Sequence, residues 1–418
     1  MTSGELLVVT GLRETNEQSK TGERTPTVYL YAARALRDFG DGFVAVLLPV
    51  YLAMLGLGAF EIGVVATLAL LGSALITLGI GFLGVRTNLR RLLIGAAALM
   101  TATGLLFASS STTAVVMLVA FVGTINPSAG SVSIFVPLEH AVLAGLVSDK
   151  TRTRMFARYG LIGALAAAAG ALASASPDLL SDFGVTRLAA LRAMFAFYAL
   201  LGVAGGLLYL RVPVETKKME GKPAAALEQS RGIVYKMAAL FSIDAFAGGF
   251  AVQSLVALWL FDKFGLSLSA AGLFFFCTGL LSAFSLPAAA RLSERFGLIN
   301  TMVFTHAPSS VCLILAAIVP NLQLALALLL TRAALSQMDV PTRSSYVMAV
   351  VTPPERPAAA SVTSVPRSLA AAAGPAIAGA LFEAGYEAWP LIICGVLKII
   401  YDFALLWSLR HIKPPEEQ

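Results

Sequence analysis

The sequence predicts an all-α membrane protein with twelve transmembrane helices in two pseudo-symmetric six-helix bundles. Three observations carry that prediction. First, 57% of the 418 residues are hydrophobic and only 13% are charged, with a mean hydropathy of +0.80, which is far from the composition of soluble domains. Second, apolar stretches of about 20 residues, long enough to cross a hydrocarbon core of ~30 Å, recur twelve times along the chain. Third, the two halves echo each other in register: Pro137, Val147, Arg152, Leu165 and Ala166 to Gly170 recur 204 positions later as Pro341, Val351, Arg356, Leu369 and Ala370 to Gly374.

In chain order, a polar tail (1–27) comes first. Its short apolar run from Leu6 to Leu12 has no basic segment before it, so it does not read as a signal peptide, and it is expected to be unstructured. Spans follow at 28–56, 60–83, 91–110, 114–147, 156–175 and 188–210, making a bundle over 28–211. A charged linker (212–232) leads to spans at 234–261, 268–290, 299–319, 322–350, 358–384 and 388–409, a second bundle over 233–410, and a tail (411–418). The first and seventh spans share a further echo at an offset of 207, where Phe39, Gly42, Phe43 and Gly58 match Phe246, Gly249, Phe250 and Gly265.

The net charge of +6 is unevenly distributed, and the distribution fixes orientation rather than pointing to nucleic acid. Lys and Arg gather in the tails, the linker and every second loop, around Arg24, Arg90, Arg152, Lys217, Arg291, Arg356 and Arg410, whereas the alternate loops hold little beyond Arg187 and Lys263. By the positive-inside rule both termini are cytoplasmic and the number of spans is even. Cys277, Cys312 and Cys394 lie singly in apolar spans and read as small hydrophobes, not as metal ligands.

The loop between the second and third spans carries Gly81, Gly84, Arg86, Arg90 and Arg91, with Val85 and Asn88 interrupting the pattern; its counterpart carries Glu294, Arg295 and Gly297. With Arg152 and Arg356 in the loops after the fourth and tenth spans, these motifs resemble those of the major facilitator superfamily over nearly the whole chain. The resemblance implies a carrier whose first, fourth, seventh and tenth spans line a central cavity, with Arg86, Arg90, Arg152, Glu294, Arg295 and Arg356 acting as cytoplasmic latches. Gly374-Pro375, with Gly379 beyond it, resembles the Gly-Pro element of the family's drug antiporters, displaced into the eleventh span; close packing through small residues is the other reading.

Intramembrane charge is costly and marks function by default. Arg332, Ser336, Asp339, Arg343 and Tyr346 recur at helical spacing in the tenth span and share one face. The first span adds Arg34, Arg37, Asp38 and Asp41, the fourth Glu139 and His140, the seventh Asp244, and the eleventh Arg367. A buried carboxylate whose Arg contact changes between conformations can take up and release a proton. Asp41, Glu139 and Asp339 are the proton-coupling candidates; Arg34, Arg37, Asp38, Asp244, Arg332, Arg343, Tyr346 and Arg367 are the candidates for substrate binding or gating. Alternatives are local i,i+4 pairing of Arg34 with Asp38 and Arg37 with Asp41, and an ionic lock between the halves. His306 and an i,i+4 pair of Lys398 with Asp402 read as structural and peripheral.

The expected function is secondary active transport of a small solute by a monomer in a bacterial inner membrane, with protons as coupling ion and export preferred. Uptake or exchange of an anionic metabolite, metal-ion export and a non-transporting sensor are the alternatives. No nucleophile and base pair, Walker loop or metal motif is present, so neither an enzyme nor a cofactor is expected.

Overall fold

The computed structural model describes residues 3–83, 88–129, 133–146, 149–212, 227–410 and 412. Among these residues every regular element is helical. The first half contains α1 (Ser3–Met54), α2 (Ala59–Leu83), α3 (Leu89–Ser109), α4 (Thr113–Val122), α5 (Phe135–Leu146), α6 (Asp149–Ala173), α7 (Ser176–Asp182) and α8 (Arg187–Leu210). The second contains α9 (Arg231–Gly249), α10 (Gln253–Phe264), α11 (Leu268–Phe296), α12 (Leu298–Ile318), α13 (Leu322–Ser336), α14 (Asp339–Val350), a 3-10 turn (Pro353–Glu355), α15 (Arg356–Glu383) and α16 (Trp389–Leu409). Nine helical stretches among the described residues are long and apolar enough to cross a membrane. The fourth and tenth spans are built from shorter pieces, and with α1 they complete twelve.

Two expectations change here. Helix α1 starts at Ser3, inside the segment expected to be unstructured, and runs unbroken into the first span. Leu, Glu, Arg, Gln and Lys, all good helix formers, supply 11 of the 25 residues from Ser3 to Thr27. The fourth and tenth spans, expected as continuous helices, are broken, and so is the seventh between α9 and α10. In the tenth, Pro341 has no N–H for the carbonyl of Gln337 and its ring crowds that carbonyl, so α13 stops at Ser336 and α14 restarts at Asp339. The polar stripe from Arg332 to Tyr346 therefore lies on two helices.

The fourth span loses its helix after Gly123. Its backbone finds other partners: Thr124 N–H donates to Thr103 Oγ1 (3.3 Å), Ser128 N–H to Asn126 Oδ1 (2.9 Å), and the Pro127 carbonyl accepts from Ser254 N–H (3.0 Å). These bonds replace the missing ladder.

The internal repeat is structural. Helices α5 and α14 are both 12 residues long, and their ends, Phe135 and Leu146 against Asp339 and Val350, coincide under the offset of 204. Glycines make the equivalent helix contacts in each bundle. A Cβ on Gly42 of α1 would lie 2.1 Å from the Ala167 carbonyl oxygen of α6, and one on Gly249 of α9 would lie 2.5 Å from the Ala371 carbonyl oxygen of α15. The Gly-Pro run of α15 thus serves close packing: Gly374 abuts Gly249, while Pro375 and Gly379 abut Gly63 of α2.

The end of α8, the start of α9 and the end of α16 lie on one face, here the linker face, and the bundles meet toward the opposite, distal face. There α2 packs on α15 and α6 on α11. Among the described residues, every hydrogen bond between bundles lies in the distal half: Phe60 to Glu383, Ser269 to Asp178, Ala376 to Thr67 and Ser254 to Pro127.

On the linker face the turn before α15 clamps the start of α9. Both Glu355 carboxylate oxygens accept from backbone N–H groups, those of Glu228, Gln229 and Ser230, each at 3.0 Å. Hydrogen bonding from Ser230, and from the backbone of Glu228 and Gln229, holds the Glu355 carboxyl down to about 2. A depressed carboxyl contributes stability that is complete above its unfolded value of about 4.3 and is lost as pH falls through the folded value. Hydrogen exchange at the N–H groups of residues 228–230 should therefore stay slow down to about pH 4 and accelerate below it; Glu355→Gln should show the faster exchange already at neutral pH.

Candidate functional site

Each bundle holds one buried charge cluster. In the first, α1 supplies Arg34, Arg37, Asp38 and Asp41, all buried together with Glu139 of α5. Arg34 pairs with Asp38 (2.7 Å), and Arg37 pairs with Asp38 (3.2 Å) and Glu139 (2.7 Å). Glu139 also accepts from Tyr209 Oη (2.7 Å) and from Tyr159 Oη, so a cation and two phenols hold its charge. The guanidinium groups stack as well: Arg37 lies over the Phe135 ring (4.8 Å) and Arg34 over Tyr159 (4.7 Å). Gly163 of α6 makes room for the Arg34–Asp38 pair, since a Cβ there would lie 2.4 Å from both partners.

Asp41 stands apart. It is 2% exposed, and its polar partner is the Tyr198 hydroxyl, donating at 3.3 Å. No cation pairs with it among the described residues. The expected i,i+4 pair of Arg37 with Asp41 does not form, because the Arg37 fork turns toward Asp38 and Glu139 instead.

In the second bundle, Asp244 of α9 is the hub. It accepts from Arg343 of α14 (3.0 Å) and Lys398 of α16 (2.6 Å), and His306 Nε2 of α12 lies 3.8 Å away. Arg343 also pairs with Asp339 (3.2 Å). His306 Nδ1 meets Asp402 at 2.9 Å, and its Nε2 lies 3.4 Å from Lys398 Nζ. The expected Lys398–Asp402 pair is replaced by these two bonds, and His306, read as peripheral from sequence, joins the hub.

The two clusters are equivalent with reversed sign. Arg37 and Asp244 are 207 positions apart, and Glu139 and Arg343 are 204 apart, the same offsets that relate the first to the seventh span and α5 to α14. A salt bridge thus joins the first span to the fourth and the seventh to the tenth, with its charges exchanged. All the ion pairs among the described residues lie within one bundle, so in this conformation they form no lock between halves.

The remaining candidates lie elsewhere. Tyr346 is fully buried in the apolar core beside Tyr401 and Leu409, and its hydroxyl donates to the carbonyls of Leu409 (3.4 Å) and Ile412 (3.2 Å), away from Arg343. Arg332 is half-buried near Cys312 and Cys394. Arg367 faces the second cluster, and its buried Nε has no hydrogen-bond partner among the described residues. Of the latch residues, Arg90 donates to the Leu210 carbonyl at the end of α8, while Glu294, Arg295 and Arg356 are exposed. Arg86 and the Arg152 side chain lie outside the described residues. Sequence reasoning missed Tyr159, Tyr198 and Tyr209; a tyrosine among apolar residues carries no signal until its partner's position is known. Lys398, a lone cation within a span, did carry one.

A curated membrane protein of Saccharomyces cerevisiae, YJR124C, itself described as uncharacterized, is 23% identical over 412 residues, spanning 90% of this chain and 92% of the yeast protein. Among solved structures, a bacterial homolog of the human lysosomal transporter Spinster, inward-facing and unoccupied, aligns with TM-score 0.71 at 15% identity, covering 94% of this chain and 99% of its own. The nucleoside transporter NupG aligns at 0.70 and 14% identity (91% and 98%), and the human organic anion transporter MFSD10 at 0.64 and 16% identity (92% and 99%). These likenesses establish the fold. The Major Facilitator Superfamily profile matches residues 30–260 and 237–418, both halves of the repeat, and the chain belongs to that superfamily.

Proposed function

We propose that the chain is a proton-coupled secondary carrier that exports a small solute, with Asp41 as its proton-binding residue. One observation carries this reading: three buried carboxylates share two arginines in the first bundle, and Asp41 is the one left without a cation. A buried carboxylate lacking a counter-ion is held neutral by a proton or neutralised by a cationic substrate group. Glu139, fixed by Arg37, Tyr159 and Tyr209, holds α5 to α1, and Asp339 supports Arg343, which holds α14 to α9 through Asp244. Alternating access then follows from rocking of the bundles about their distal contact.

Basic residues around the linker and tails orient the linker face to the cytoplasm, and we place the protein as a monomer in a bacterial inner membrane. The test uses inside-out vesicles energised with a pH gradient. Addition of a transported solute should dissipate the gradient, read by a pH-sensitive dye, with the parent chain and not with Asp41→Asn. A gradient unaffected by every member of a panel of drugs, nucleosides, organic acids and metal ions would count against coupled export.

A second reading, carriage of an anion, is favoured by Arg367, whose buried Nε lacks a partner. A planar donor fork suits a carboxylate or phosphate. Under this reading Arg367→Lys raises the solute concentration for half-maximal transport by about tenfold; an unchanged value removes Arg367 as a ligand.

A further inference from the structure

The distal contact contains two bonds of one kind. Asp178 on α7, just beyond α6, accepts from both the backbone N–H and the hydroxyl of Ser269 (3.0 Å each). Glu383, the last residue of α15, accepts from the backbone N–H of Phe60 (2.8 Å). Ser269 is the second residue of α11 and Phe60 the second residue of α2. The carboxylates are 205 positions apart and the capped residues 209 apart, so the repeat that relates the bundles relates these bonds. Each carboxylate belongs to the opposite bundle from the helix it caps.

We propose that Asp178 and Glu383 are paired distal latches of alternating access, each holding the distal side closed by capping the first turn of a helix in the other bundle. The first N–H groups of a helix have no partner within it, and they attract anions. Helix α11 uses its own cap elsewhere: Ser267 Oγ accepts from Ala270 N–H (3.2 Å), which leaves Ser269 N–H to Asp178. Glu61 likewise turns back to Gly58 N–H (2.8 Å), leaving Phe60 N–H to Glu383. Neither bundle therefore needs the crossing bond in order to fold, and the bond can break when the bundles part. The freed groups then face the distal surface and water, so opening is reversible. Glycines bring the helices close enough for this: Gly63 against Pro375 and Gly379, and Gly272 against Ala171, the second of these pairs again offset from the first by the repeat.

This inference rests on the carrier reading only through alternating access, and its test reads distance rather than transport, so it fails independently of Asp41. Spin labels at Phe183→Cys and Tyr386→Cys, both exposed on the distal rim of opposite bundles, are placed in the full chain in lipid with Cys277, Cys312 and Cys394 replaced by Ala. Pulsed dipolar spectroscopy then gives the ratio of distal-open to distal-closed molecules. Asp178→Ala and Glu383→Ala should each raise that ratio about fivefold, the usual worth of a helix cap, and about 25-fold together, since distant sites add. Ser269→Pro removes the donor N–H at a first-turn position that tolerates proline, so it should match Asp178→Ala and add nothing to it. Distance distributions unchanged in the double variant overturn the proposal, as does full additivity of Ser269→Pro with Asp178→Ala. Should Asp178→Ala fail to fold, Glu383→Ala and Ser269→Pro carry the same test alone.

Discussion

Asp41→Asn is expected to abolish solute accumulation driven by a pH gradient, by at least about a hundredfold, while exchange of labelled for unlabelled solute at equal pH continues. The reason lies in the local charge balance. Arg34 and Arg37 are taken up by Asp38 and Glu139, and the amide keeps the Tyr198 hydrogen bond at the same position with no proton to release. A binding free energy that no longer depends on pH cannot couple a solute gradient to a proton gradient. The decisive comparison is between driven uptake and equal-pH exchange in proteoliposomes. Loss of both, in a variant that still elutes as the parent does, would make Asp41 structural.

Asp244→Asn is expected to be the most destabilising single change at the hub. It leaves Lys398 buried without its carboxylate and removes one of the two acids beside Arg343. Breaking a buried pair from one side costs about 3–5 kcal/mol, enough to sharply lower the yield of folded protein and its thermal midpoint in detergent. Lys398→Met in the same chain should recover much of that loss, because Arg343 keeps Asp339 and His306 keeps Asp402. A double variant no more stable than Asp244→Asn would show that Lys398 does not depend on Asp244.

Reading the spans in order required only length and hydropathy, because a bilayer demands about 20 apolar residues from any helix that crosses it. The repeat was legible for the same reason that it is structural: Pro137 and Pro341 each shape the start of a short helix, and Gly42 and Gly249 each seat another helix's carbonyl, so their residue types are constrained by local geometry. Pro137 and Pro341 stand just inside the short helices that follow the breaks in the fourth and tenth spans, yet whether a span bends or stops at such a proline depends on partners such as Thr103 and Ser254 that take over the freed backbone.

Pairing was where sequence spacing misled. Spacing placed Arg37 with Asp41, Lys398 with Asp402, and Tyr346 on the polar face that carries Arg343; the fold joins Arg37 to Glu139, Lys398 to Asp244, and Tyr346 to Leu409 and Ile412 at and beyond the end of α16. The i,i+4 pairs Arg34–Asp38 and Arg343–Asp339 do form, whereas Arg37 and Lys398 find carboxylates with better geometry on other helices. The sequence by itself therefore determined the membrane class, the two halves and the inventory of buried charge. Only the tertiary structure decided which carboxylate is left without a cation and which bonds cross between the bundles, because both depend on distances between helices that no one-dimensional spacing encodes.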